Sequence, residues 1–109
     1  MFDMNNLGDL MKKAREVQEN MTRVQEEMGR KQITAEAGGG MCTATVNGRL
    51  ELVKLKIDKS KIDVNDTELL EDIVVAAVHA AQVRAAGVLK EEMARKAQEM
   101  GLPPGMLPG

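Results

Sequence analysis

Apolar residues recur along the first part of the chain at Leu7, Leu10, Ala14, Val17, Met21, Val24 and Met28, in alternating steps of three and four. This heptad spacing predicts an α-helix from about Asn6 to Gly29 with a narrow apolar seam. A seam of that width suits either a second helix or the chain's own sheet. Asn5 or Asn6 supplies a start cap, and Gly29 a stop.

From Lys31 the period falls to two. Ile33, Ala35 and Ala37 alternate with Thr34 and Glu36, which predicts a first strand. Gly38-Gly39-Gly40 ends it as a flexible connection, because no helix and no Lys-Ser/Thr pair follow to make a phosphate loop. Met41 to Val46 is a second strand, with Thr43 and Thr45 on one face and Cys42, Ala44 and Val46 on the other. Asn47-Gly48 predicts a tight type I′ hairpin. In the third strand, Arg49 to Asp58, the apolar phase shifts between Leu52 and Val53, the mark of a β-bulge.

A polar connection, Asp58 to Asn65, leads into a last helix that runs to about Met100. Asn65 with Glu68, or Asp66, caps its start. Asp66, Glu68, Glu71 and Asp72 complement its dipole. Such a helix reaches about 50 Å, whereas strands of ordinary length support roughly 20 Å of it. It therefore projects beyond the sheet. One apolar face carries Leu70, Ile73, Val74, Ala77, Val78, Ala81, Ala85 and Val88. Another carries Val75, Ala86, Leu89 and Met93, which predicts a second packing partner, most simply a second copy of the chain. The expected fold class is α+β: long helix, three-stranded antiparallel sheet, long helix, over residues 1–101, with residues 102–109 as a Pro/Gly-rich mobile tail.

Composition narrows the function. Phe2 is the only aromatic residue, so the core must come from aliphatic residues and nine Met. A partner chain adds apolar burial that a small core lacks. Fifteen basic against seventeen acidic residues leave a net charge of −2, without the basic excess of most nucleic-acid binders. A lone cysteine, Cys42, excludes an intrachain disulfide and fits a reducing compartment. With no leader-like start, and with Ile73 to Val83 as the longest nearly uncharged stretch, a cytoplasmic protein without a membrane partner is expected.

Catalytic chemistry has little to stand on. His79 is the only histidine, and it falls on the polar side of the last helix, too isolated for a zinc site. Cys42 lies mid-strand with no histidine predicted beside it, as a small apolar residue would. The expectation is a protein that is not an enzyme, with no cofactor, metal or small-molecule substrate. Basic residues form two groups: Lys12, Lys13 and Arg15 on the first helix, and Arg84, Lys90, Arg95 and Lys96 on the last. They are either phosphate contacts or solvating charges with i,i+4 partners. With no aromatic residue beyond Phe2 to stack on bases, single-strand recognition is disfavoured.

The opening Leu7-Gly8-Asp9-Leu10-Met11-Lys12-Lys13-Ala14, the central Val46-Asn47-Gly48, the run Leu70 to Val78 and the ending Leu102-Pro103-Pro104-Gly105-Met106 occur in an order and spacing that resemble the YbaB/EbfC family of bacterial nucleoid-associated proteins. The resemblance covers essentially the whole chain. It implies a tweezer-like homodimer that binds double-stranded DNA in the nucleoid and alters its conformation, with roles in gene regulation, nucleoid organisation and DNA protection. It also implies DNA contacts from Lys12, Lys13, Arg15, Lys90, Arg95 and Lys96. Glu16, Glu19, Glu91 and Glu92 interleave with these bases and depart from a clean basic pattern. The competing expectation is a dimeric protein-interaction scaffold without DNA binding, whose seam of Leu10, Ala14, Val17 and Met21 holds a partner's helix.

Overall fold

The computed structural model describes residues 4–101, with side chains from Asn6 onward. The expected tail at residues 102–109 lies outside the described residues. Five elements follow in order: α1 (Met4–Gly29), β1 (Gln32–Ala37), β2 (Cys42–Asn47), β3 (Leu52–Ile57) and α2 (Thr67–Glu99). The strands form one antiparallel sheet in the order β1-β2-β3. This is the α+β layout expected. Because α1 begins at Met4, Asn5 and Asn6 lie inside the helix and do not cap it.

The core is built from small side chains. Cys42, Ala44 and Val46 of β2 are fully buried, as are Ala77, Ala81 and Ala85 of α2. Four-residue spacing lines the three alanines along one stripe of the helix. With only a methyl group at each position, the helix axis can lie close to the strands. Ile33 completes this cluster, and Ile73, Val74, Val78 and Leu89 pack around it. Asp66 caps the helix by accepting from the Leu69 amide at 3.3 Å, which selects it over Asn65.

Past the sheet, α2 changes the face it buries. Leu89 and Met93 line a groove with Thr22, Gln25 and Met28 of α1, and Val24, Met28 and Ala97 are buried. The distal part of the second apolar side therefore meets the chain's own α1. This corrects the expectation that the whole side needs a second copy. On the sheet half of that side Val75, 68% exposed, and Ala86 remain open, and nearby Val83, outside either expected face, is 58% exposed. The helix also contains an 18-residue window of mean hydropathy 1.4, long and apolar enough to cross a membrane by length and composition. That exceeds the Ile73–Val83 stretch considered from sequence, since the window tolerates isolated charges.

From the level of Met28 and Leu89, α2 continues for about 15 Å whereas α1 runs back for about 36 Å, at about 1.5 Å per residue. The first half of α1 thus overhangs, and every residue from Asn6 to Glu16 is exposed. The molecule is 73 Å long and about a quarter as wide.

The β2–β3 turn differs from the type I′ hairpin expected. Leu50 N donates to the Asn47 carbonyl, Asn47 N donates to the Glu51 carbonyl, and Leu50 sits at φ +64°. This is a three-residue loop, a turn closed by a left-handed residue. Asn47 Oδ1 braces it by accepting from the Arg49 and Glu51 amides. Gly48 serves close approach instead of a left-handed φ. A Cβ there would overlap the Met28 carbonyl and lie 2.9 Å from Gly29 Cα, while Gly48 N donates to the Gly29 carbonyl at 3.3 Å. The expected bulge is present: Leu52 pairs with Val46 and Lys54 with Thr45, leaving Val53 without a partner.

Gly48→Ala should therefore lower stability in urea unfolding by about 1–3 kcal/mol, because backbone must move to admit the methyl group. Gly87→Ala, in α2 with nothing within 4 Å of the added atom, should raise it by roughly 0.5–1 kcal/mol.

Candidate nucleic-acid interface

The six basic residues expected at the site fall into two groups along the arm formed by α1 and distal α2. Lys12, Lys13 and Arg15 sit on the α1 overhang, and all three are exposed. Lys12 and Arg15 project from the side away from the seam, whereas Lys13, three residues after Leu10, flanks it. Lys90 and Arg95 are exposed on the paired stretch, about 140° apart around α2. Lys96 is half-buried, 3.7 Å from Glu99 Oε2. The six do not converge on one patch.

Two neighbouring charges are used inside the fold. Arg84 Nη1 donates to the Thr34 carbonyl at 3.0 Å and so caps the free edge of β1. Glu92 forms an ion pair with Lys31 and is thereby neutralised. Of the acids interleaved with the expected contacts, Glu16, Glu19 and Glu91 remain exposed.

The positive charge is densest elsewhere. Helix α1 carries four basic and five acidic residues, and α2 four basic and six acidic. Residues 49–61, spanning β3 and its flanks, carry Arg49, Lys54, Lys56, Lys59 and Lys61 against only Glu51 and Asp58. Strand register puts Lys54 opposite Thr45 and Lys56 opposite Thr43, on the sheet face turned away from α2. Thr34 and Thr45 share a 2.9 Å hydroxyl contact on that face. Asp58 accepts from Ser60 Oγ at 2.6 Å and from Ser60 N. Those bonds, helped by Lys61 and Lys56, hold its carboxyl below the usual range. Sequence reasoning followed the helices and missed this strand. A charge count taken element by element would have found it.

The chemistry of a catalytic site is thin. His79 is exposed, and no group of three His, Cys, Asp or Glu side chains is placed to hold a metal ion among the described residues. Cys42 is fully buried between the sheet and α2, and burial pushes its thiol up from the ordinary value.

A profile of the YbaB/EbfC DNA-binding family matches residues 4–100. The chain belongs to that family. A nucleoid-associated protein of Paramagnetospirillum magneticum is 43% identical to this YbaB/EbfC chain, covering 94% of it and 95% of the relative. A nucleoid-associated protein of Rhodospirillum rubrum is 36% identical over 94% of this chain and 96% of its own. The fold is also that of an uncharacterized protein of Helicobacter pylori, with a TM-score of 0.58 at 24% identity, covering 73% of this chain and 93% of that one. The family is defined by DNA binding and not by an enzymatic reaction.

The buried thiol gives a check on the packing beneath the site. In native protein, Cys42 should react with a thiol reagent only as fast as the molecule opens globally, and freely in urea. Its raised pKa favours the folded state fully below the ordinary thiol value of 9.0, and this contribution should fade as pH rises above it.

Proposed function

We propose that this protein binds double-stranded DNA as a homodimer in the bacterial nucleoid, altering its conformation through phosphate contacts from two projecting arms. The observation that carries the reading is the α1 overhang: a fully exposed helix bearing Lys12, Lys13 and Arg15, in a chain of a DNA-binding family. The names of the two relatives support the nucleoid as its place. Lys90, Arg95 and Lys96 extend the same arm toward the sheet. Each phosphate neutralised by Lys or Arg releases condensed counterions, so affinity falls steeply with salt and depends little on sequence. The exposed Glu16, Glu19 and Glu91 thin the positive field and keep binding weak. Arms on two sides of a dimer can hold a duplex bent, or bridge two, which is the route to gene regulation, nucleoid organisation and DNA protection. The cytoplasm, where the nucleoid lies, is the expected compartment.

The dimer has a physical motive. Helix α2 packs over β1 and β2. Leu52 and Leu55, on the helix side of β3, are left 46% and 38% exposed, and bulged Val53 is 48% exposed. An open apolar edge strand pairs with something or aggregates. A second copy related by a two-fold axis would cover β3 together with Val75 and Val83.

A protein-interaction scaffold has one observation in its favour. Leu7, Leu10 and Met11 are 46%, 53% and 59% exposed on the overhang. Ala14 is exposed there as well, and the seam is occupied only from Val17 onward, where Val24 and Met28 are buried and Val17 and Met21 half-buried.

Titrating salt against affinity for a generic duplex tests the reading. Binding at low ionic strength with a steep negative slope is expected. Lys12→Ala with Lys13→Ala should flatten the slope by about 0.9 for each phosphate no longer neutralised, with the fold intact. No binding even at low salt would overturn it. Leu52→Glu with Leu55→Glu should shift the sedimentation mass from dimer to monomer.

A further inference from the structure

We infer that the open face of the sheet, carrying Lys54 and Lys56, is a second contact surface for the phosphate backbone of duplex DNA, separate from the helical arms. This rests on the reading of the protein as a DNA binder and locates a contact that neither helix supplies. Three observations carry it.

First, the face is unpartnered. The residues that α2 covers, Cys42, Ala44 and Val46, alternate with Thr43 and Thr45, whose cross-strand neighbours Lys56 and Lys54 point the same way. Both lysines are exposed, and neither makes an ion pair among the described residues.

Second, the face is polar and not apolar. Thr34, Thr43 and Thr45 supply hydroxyl groups beside the lysines, and no large apolar side chain is paired into these rows. That suits a hydrated, phosphate-bearing partner better than a protein core. Its one acid, Glu36, pairs with Thr43 at the far edge. There it sits near the Lys61 ammonium: a Cβ on Gly40 would lie 2.9 Å from Lys61 Nζ and 3.6 Å from Glu36 Oε2.

Third, the charge and spacing complement a duplex. Both helices carry more acid than base, and residues 49–61 are the stretch with a clear basic excess. Lys54 and Lys56 are two residues apart on a strand, about 6.6 Å. One phosphate step of a DNA strand rises about 3.4 Å along the axis, and with the helical twist adjacent phosphates lie about 7 Å apart. A strand laid along one backbone can therefore meet adjacent phosphates. If β3 is the seam of the dimer, the two copies bring four lysines together on this one face.

The test compares full-length wild type, Lys54→Gln/Lys56→Gln, Lys54→Arg/Lys56→Arg and Lys12→Ala/Lys13→Ala on a generic duplex across a salt series. Urea unfolding and sedimentation of each variant check its fold and assembly. For the glutamine variant we expect an unchanged fold and mass. Its log–log salt slope should be shallower by roughly 2 for each protomer's pair of neutralised lysines, with affinity near 50 mM salt about a hundredfold lower. The arginine variant should bind as wild type. If the glutamine variant keeps the wild-type slope and affinity while the Lys12/Lys13 variant loses both, the sheet face is not a DNA contact, though the protein still is a DNA binder. If the glutamine variant aggregates with DNA binding unchanged, the lysines only guard an exposed edge strand, and the inference is overturned. If wild-type self-association is abolished in the glutamine variant with the DNA slope unchanged, the face meets acidic helices of another copy instead, and the inference is again overturned. Absence of wild-type binding at low salt would fail the functional reading itself.

Discussion

Ala77, Ala81 and Ala85 of α2 lie against Cys42, Ala44 and Val46 of β2 with no solvent reaching either row. The close approach leaves α2 one direction across the sheet, and everything distal inherits it. The helix leaves the sheet near Leu89, and from there it can only be a strut. Helix α1 leans on that strut through Val24, Met28, Leu89 and Met93. Gly48 lets the β2–β3 hairpin press against the last turn of α1, so the two helices and the hairpin meet at one joint. Enlarging any side chain in the alanine row would tilt the whole arm.

The same economy explains what is left open. A core of small residues, in which Val46 and Cys42 are the largest fully buried side chains, stabilises the unit modestly. It covers two strands and leaves the helix side of β3 bare. Uncovered leucines on an edge strand favour a second copy, while the opposite face of the same strand carries Lys54 and Lys56. Strand β3 is thus apolar on one face and cationic on the other. The bulge at Val53 lets it change phase between the two.

Much of this was legible in the chain. Periodicity located both helices, all three strands and the bulge, because those patterns report directly on which side of an element is buried. The alternation of Cys42, Ala44 and Val46 with Thr43 and Thr45 marked the covered face correctly. Asn47-Gly48 misled, because glycine has two uses: it permits a left-handed φ, and it permits close approach. Here Leu50 takes the left-handed position, and Gly48 makes room for α1. The second apolar side of α2 misled in the same way, since a pattern shows that a face is buried but not by what. Of the basic residues, sequence could not reveal that Arg84 is committed to the Thr34 carbonyl, or that Lys31 removes Glu92 from the arm's field. Both pairs lie 50 residues or more apart along the chain.

A rigid sheet-and-alanine base holds an otherwise unsupported charged helix out, in the position proposed to meet DNA. Amide hydrogen exchange with and without a generic duplex tests it most directly. In the free protein, amides from Val74 to Ala85 should exchange only through global unfolding, and those from Asn6 to Arg15 within the fast, locally fraying range. Adding DNA should slow exchange over Asn6 to Arg15 and leave Val74 to Ala85 unchanged. Fast exchange across Val74 to Ala85 in the free protein, or DNA protection that bypasses the overhang, would contradict the account.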